Sequence, residues 1–153
     1  MSLTIELTPI GFVSSPVAER TDSGWGAIVA RVTLAPEYAR GLAGLESFSH
    51  ALILTYLHQA RFDRAQHLVR RPQGRDDMPE LGILSQRAKN RPNPIGVTAV
   101  EIVCVGEDYL EVKGLDAING TPVLDIKPYF PQYDRIESPV VPGWVNELMK
   151  DYF

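Results

Sequence analysis

The sequence predicts a mostly β domain: about seven strands in a sheet folded into a barrel-like form, with short helices and one C-terminal helix. Three observations lead there. Ile28, Ala30, Val32 and Leu34 recur at the two-residue period of a strand with one buried face. His50 to Leu57 is a continuous apolar run whose Ile53, Thr55 and Tyr56 favour a strand, and Ile95 to Val105 is a second strand-like run. Long stretches with the apolar spacing of a helix are absent outside the C-terminus. Such a sheet closes or nearly closes, because open edges invite pairing with other chains.

The elements follow in order. Ile5 to Val13 has strand content, and Pro9 within it suits an edge or a bulge. Ser14 to Gly26 reads as a loop, and Ala27 to Leu34 as the alternating strand. Pro36 opens a short helix that Gly41 ends. His50 to Leu57 reads as a strand buried on both faces. Arg61 to Glu80 is irregular, and Leu81 to Ser85 is a short strand. Ile95 to Val105, the turn Gly106-Glu107-Asp108 and Tyr109 to Leu115 form a β-hairpin. Pro122 to Ile126 is a last strand. Trp144, Val145, Leu148, Met149 and Tyr152 recur at helical spacing, which predicts a helix over 142–153.

With 153 residues the chain is expected to form a single domain spanning 1–153. Hydrophobic content of 44% and charged content of 22% are ordinary for a globular protein. No run approaches the roughly 18 apolar residues of a membrane span, so no membrane association is expected. No basic region followed by an apolar stretch marks a signal peptide. The lone Cys104 excludes an intramolecular disulfide, and between Val103 and Val105 it reads as a buried, inert thiol. A reducing, cytoplasmic setting agrees with this.

The net charge of −4 argues against nucleic-acid binding by the whole surface. The charge is unevenly spread, however. Residues 61–91 hold eight basic and four acidic side chains, so that segment is +4 and the remainder −8. Two readings stand for it: a solvated arginine-rich loop, or an RNA-facing segment with Arg70 and Arg71 at its centre.

Right after this segment, Arg91-Pro92-Asn93-Pro94-Ile95-Gly96 leads into a core strand. Pro92 and Pro94 hold Arg91 and Asn93 in extended geometry, which either punctuates a strand entry or preorganises a polar site. The hydrolase elbow, the phosphate loop and the dinucleotide loop are all missing. His50 and His58 would stand about 26 Å apart in a straight strand, so no metal is expected. His50 reads as a core histidine.

Phe48-Ser49-His50 with its apolar run to His58-Gln59, Gln86 to Asn90, the proline run, and Leu115 through Tyr129 occur in fixed order. Together they closely resemble the TsaA-like (YaeB-like) family, over roughly residues 8–135. That family includes the tRNA methyltransferase O, an S-adenosylmethionine-dependent β-barrel enzyme. The resemblance implies S-adenosyl-L-methionine as cofactor, tRNA as partner and a homodimer. It places His58, Gln59, Arg87, Val97, Lys113, Gly114, Leu115 and Asp116 at cofactor-contacting positions.

The residue types suit that role. Arg87 offers a charge-assisted clamp for a carboxylate. Asp116 suits ribose hydroxyls or an amino group, His58 and Gln59 suit adenine, and Val97 suits an apolar part. Arg70, Arg71, Arg91, Asn93, Lys127 and Tyr129 are the substrate-binding candidates. Asp125 and Lys127 share a face, for a structural ion pair with a neighbouring strand or for a substrate contact. Tyr129 is a base platform or a cap on the barrel. No residue identifies itself as the catalytic base.

Two departures from the family pattern bear on this. The longer members carry an Arg/Pro/Gly-rich first loop that helps bind cofactor. Here Asp22-Ser23-Gly24-Trp25-Gly26 stands in its place, with Trp25 as the residue to replace that contact by stacking. Asn119 stands where Asp is common before Gly-Thr-Pro. The resemblance thus implies a methyltransferase whose acceptor is the exocyclic amine of threonylcarbamoyl-adenosine beside the anticodon. The rivals are a regulatory module that binds the cofactor or a nucleotide without methyl transfer, and a methyltransferase acting on a small molecule or protein.

Overall fold

The computed structural model describes residues 2–153. Six strands close into an antiparallel barrel in the order β1-β2-β7-β6-β3-β8. They are β1 (Gly11–Ser14), β2 (Val29–Leu34), β3 (His50–Tyr56), β6 (Ile95–Val105), β7 (Tyr109–Lys113) and β8 (Pro122–Pro128). Two short strands, β4 (Val69–Arg70) and β5 (Leu81–Gly82), pair outside the barrel. The mostly β, barrel-like expectation holds, with six strands in the barrel and two beside it.

The core lies inside the barrel because inward positions alternate along each strand. Ala30, Val32 and Leu34 of β2 meet Ala51 and Ile53 of β3, Val100 of β6, Leu110 and Val112 of β7, and Val123 of β8. Two bulges help the sheet curl. One falls between Leu54 and Thr55 where β3 meets β8, the other between Ile102 and Cys104 where β6 meets β7. The hairpin β6–β7 forms as expected.

Several local expectations are corrected. Residues 2–9 form no strand, and Leu3, Ile5 and Leu7 are exposed. The first strand begins at Gly11, where both its edges are taken by β2 and β8. The strand β3 buries only Ala51, Ile53 and Thr55, while its outward residues are partly exposed. Ile83 to Ser85 turn as a 3-10 helix instead of extending β5. The helix begun at Pro36 is also 3-10, and it runs past Gly41 to Leu42. Cys104 is exposed, because the bulge beside it turns its side chain out of the barrel. After a single turn α2 (Pro131–Asp134), the C-terminal helix α3 is short, Gly143–Leu148.

The basic excursion is folded, although most of its charged side chains are exposed to solvent. Its helix α1 (Arg64–His67) is capped by Asp63, whose carboxylate accepts from the Ala65 and Gln66 amides at 2.8 and 3.1 Å. Pro72, Met78 and Ile83 are buried beneath it.

Because Ile53 is fully enclosed, Ile53→Ala is expected to cost about 2–5 kcal/mol of stability. Cys104→Ser on the surface is expected to cost under about 0.5 kcal/mol. Urea denaturation of both variants checks this.

Candidate functional site

One end of the barrel gathers the candidates. All six strands are antiparallel to their neighbours, so the ends of β1, β3 and β7 meet the starts of β2, β6 and β8. His58 and Gln59 follow β3 there, Val97 lies near the start of β6, and Lys113 to Asp116 leave β7. We call this the near end.

Strand β6 overhangs its neighbour at this end. Its pairing with β7 stops at Glu101 opposite Lys113, while its pairing with β3 continues to Ile95 opposite Tyr56. One edge of the 95–100 stretch is therefore open. Arg87 reaches that edge: its guanidinium donates to the Val97 carbonyl at 2.8 Å. Arg87 is exposed and retains other N–H donors. Tyr56, Ile95 and Val97 form an exposed apolar patch on the outer face.

The turn after β7 faces the same edge. Gly114 has φ +91, a left-handed conformation that favours glycine. Leu115 then buries its side chain in the core, so only its backbone remains for a ligand. Asp116 comes next, and its carboxylate accepts from the Thr98 hydroxyl of β6 and, at 2.7 Å, from the Tyr152 hydroxyl. Burial pushes the Tyr152 phenol well above its usual value, and the Asp116 charge and hydrogen bond push the same way. Asp22 adds to this and Arg87 opposes it, so both lie near the phenol.

The first loop folds over this end. Trp25 is only 3% exposed and its indole donates to the Thr21 carbonyl at 3.2 Å. It anchors the loop and presents no face for stacking, contrary to expectation. Arg20, which the sequence reading missed, donates to the Gln59 carbonyl. Asn119 serves as Asp would, accepting from the Ser15 amide at 3.1 Å.

The basic excursion adjoins the near end. Partial burial pulls the Lys89 ammonium below its usual value, and the neighbouring charges of Arg20 and Arg70 act alike, against Asp22. These cations therefore converge beside the first loop. Not all the arginines are free. Arg91 donates to the Gln86 and Ala88 carbonyls at 3.0 and 3.3 Å, and Arg71 to the Met78 carbonyl. Both hold their own loop together. Asn93 is exposed beside them. Asn90 fastens the excursion to the proline run, accepting from the Arg61 amide at 3.0 Å. Gln86 is buried, and its side-chain amide donates to the Arg70 and Leu81 carbonyls.

Lys127 and Tyr129 lie elsewhere, at the far end where β8 finishes. Lys127 pairs with Asp125 of its own strand at 2.7 Å, so the ion pair is within the strand. Tyr129 packs edge-on against His50, ring centroids 6.4 Å apart. His50 is exposed, not a core histidine, and its Nδ1 shares a hydrogen bond with Ser49.

An apolar cavity of about 410 Å³ also opens at the far end, lined by Ile10, Leu34, Leu42, Phe48 and Ile126 among others. Asp125 is the single charged side chain on its wall. The near end carries opposite charges, Arg87 and Asp116, each bonded to a different partner along the β6 edge, and these suit a zwitterionic ligand. Among the described residues no group of three or more His, Cys, Asp or Glu side chains is placed to hold a metal. No helix there is long and apolar enough to cross a membrane.

Residues 18–135 match the family of the tRNA-methyltransferase O N-terminal domain. A probable S-adenosyl-L-methionine-binding protein of Methanothermobacter thermautotrophicus is 38% identical over 138 residues, 88% of this chain and 96% of that protein. The human tRNA (adenine(37)-N6)-methyltransferase is 38% identical over 107 residues, 70% of this chain and 23% of that protein. A crystal structure of TrmO from Pseudomonas aeruginosa superposes with a TM-score of 0.77 at 29% identity. It covers 94% of this chain, which spans 63% of the solved one.

The raised Tyr152 value has a stability consequence. Its contribution is fully present below the unfolded phenol value of about pH 10 and is lost as pH rises toward the folded value. Thermal melts between about pH 10 and 12 are expected to fall more steeply for the wild type than for Tyr152→Phe. Parallel curves would contradict this.

Proposed function

Because the chain belongs to the tRNA-methyltransferase O N-terminal domain family, we propose that it is an S-adenosylmethionine-dependent methyltransferase of tRNA working at the near end of its barrel. The observation that supports this most is the convergence there of Arg87, Asp116 and His58-Gln59, from separate segments, beside a basic excursion. The finer acceptor in this reading is the N6 amine of the threonylcarbamoyl-adenosine beside the anticodon. The name of the human relative, which specifies N6 of adenine 37, supports it.

The residues present fit the methyl donor. Arg87 holds the carboxylate with the N–H groups left free by Val97. Asp116 receives ribose hydroxyls or the ammonium. His58 and Gln59 bond adenine, and Val97 with Ile95 and Tyr56 offers apolar surface. Lys113 and the open Gly114 backbone line the remainder. When bound, S-adenosylmethionine supplies a methyl group on a positively charged sulfur.

The chain's own residues orient the two reactants for in-line displacement. Arg70, Lys89 and Arg20 give the mouth a positive field that draws RNA phosphates. The acceptor's proton leaves to water in this reading, since no described side chain stands out as a base. A homodimer belongs to the same proposal. Tyr133, Ile136, Val140 and Val141 form an exposed apolar run that a second copy covers.

Arg87→Ala is expected to weaken S-adenosylmethionine binding by about 1.5–3 kcal/mol, measured by calorimetry. The test of function is nucleoside mass spectrometry of tRNA incubated with protein and methyl donor. One methyl added to the adenosine derivative supports the proposal. Cofactor binding without any methylated nucleoside would leave only a binding module. Light scattering is expected to give the mass of two chains, and a single-chain mass would end the dimer.

A further inference from the structure

Residues 151–153 lie against the first loop and reach one of the cofactor candidates, Asp116. The Gly24 amide donates to the Asp151 carbonyl at 3.0 Å and the Trp25 amide to the Tyr152 carbonyl at 2.9 Å. A Cβ on Gly26 would lie 2.6 Å from the Phe153 carbonyl carbon, so glycine is what lets the tail approach. The first loop is thereby fixed to the chain terminus at three consecutive residues. With the Trp25 ring turned inward, the loop leaves one side of the near end to that tail.

The tail also delivers a polar group. Tyr152 Oη donates to Asp116 Oδ2 at 2.7 Å, while Thr98 donates to Oδ1. Two neutral hydroxyls, one from β6 and one from the terminus, thus grip the carboxylate from both sides. Each carboxylate oxygen keeps a lone-pair site for a further donor. The carboxylate is fixed in direction without being saturated, which is what a ligand-binding anion requires.

We propose that Tyr152 is a positioning residue of the cofactor site: its hydroxyl orients the Asp116 carboxylate toward the ribose hydroxyls or ammonium of the methyl donor, and residues 151–153 form one wall of that site beside the first loop. This rests on the reading of Asp116 as a cofactor residue given above. A tail that merely finished the fold would need its ring packed and no hydroxyl. Here the hydroxyl is engaged with a charged site residue across a sequence separation of 36.

The test is a double-mutant cycle with S-adenosylmethionine as the probe, read by calorimetry, thermal melting and steady-state kinetics. Tyr152→Phe keeps the ring and removes the hydroxyl. It is expected to weaken binding about 5- to 20-fold and raise the KM for the methyl donor, with kcat held within about twofold. In an Asp116→Ala background the same change is expected to cost less than about twofold. Asp116→Asn replaces Asp116→Ala should the latter not fold.

Unchanged affinity with only a lowered melting temperature would make Tyr152 structural and overturn the proposal. A full Tyr152→Phe effect without Asp116 would overturn it too, because the residue would then act by another route. Tighter binding in Tyr152→Phe would show the tail to be a plug. A wild-type protein that binds no S-adenosylmethionine defeats the cofactor site itself. Wild-type binding that survives Asp116→Ala unchanged defeats only the role of Asp116 and Tyr152.

Discussion

Strand β6 is longer than the strand beside it, and the near end depends on that mismatch. Its partner β7 stops at Lys113, so the backbone between Ile95 and Val100 has β3 on one side and no strand on the other. An open edge is normally a hazard, since its unpaired groups invite another chain. Here short polar segments cover it. Arg87 takes the Val97 carbonyl, and the turn through Gly114 brings Asp116 against Thr98. Opposite charges are thus placed along one strand edge by the same geometric gap. A barrel with β6 and β7 of equal length would pair that edge and leave no room for either side chain.

The arginine-rich composition of 61–91 divides by what each guanidinium touches. Arg71 and Arg91 donate to carbonyls of their own loop and hold its shape. Arg75 pairs with Asp77 at 2.6 Å, an exposed bridge that contributes little to stability. Other cations gather near Lys89, whose value is lowered first by partial burial and then by the like charges of Arg20 and Arg70. Crowded positive charge is unfavourable until an anion arrives, which supports the proposed docking of RNA phosphates at this mouth.

Much of the barrel was legible because alternation reports burial directly. In β2 the inward Ala30, Val32 and Leu34 match the pattern, while Ile28 falls before the strand at the end of a 3-10 turn. The errors have physical causes. Leu3, Ile5 and Leu7 alternate as well as any strand, but alternation cannot say whether a partner edge is free, and β1 has none to offer before Gly11. Leu52 and Leu54 made β3 look two-sided because the barrel's outer surface tolerates apolar residues. Cys104 was misread because a bulge, invisible in sequence, reverses the side chains after Ile102. At the site, Arg87 and Asp116 were recognisable only through the family resemblance, since an isolated Arg or Asp carries no spacing signal. Lys127 and Tyr129 came from the same motif as Asp116 yet run along β8 to the other end. Tyr152 showed helical spacing and nothing of its long-range bond to Asp116.

The central claim is that the charged near end, not the apolar cavity at the far end, receives the methyl donor. Amide hydrogen exchange with and without S-adenosylmethionine tests it most directly, because it reads every segment at once. The account predicts slower exchange in residues 20–26, 57–60, 86–98, 113–116 and 150–153, with 42–48 unchanged. Protection confined to 42–48 and the neighbouring end of β8, with the near end unaffected, would contradict it.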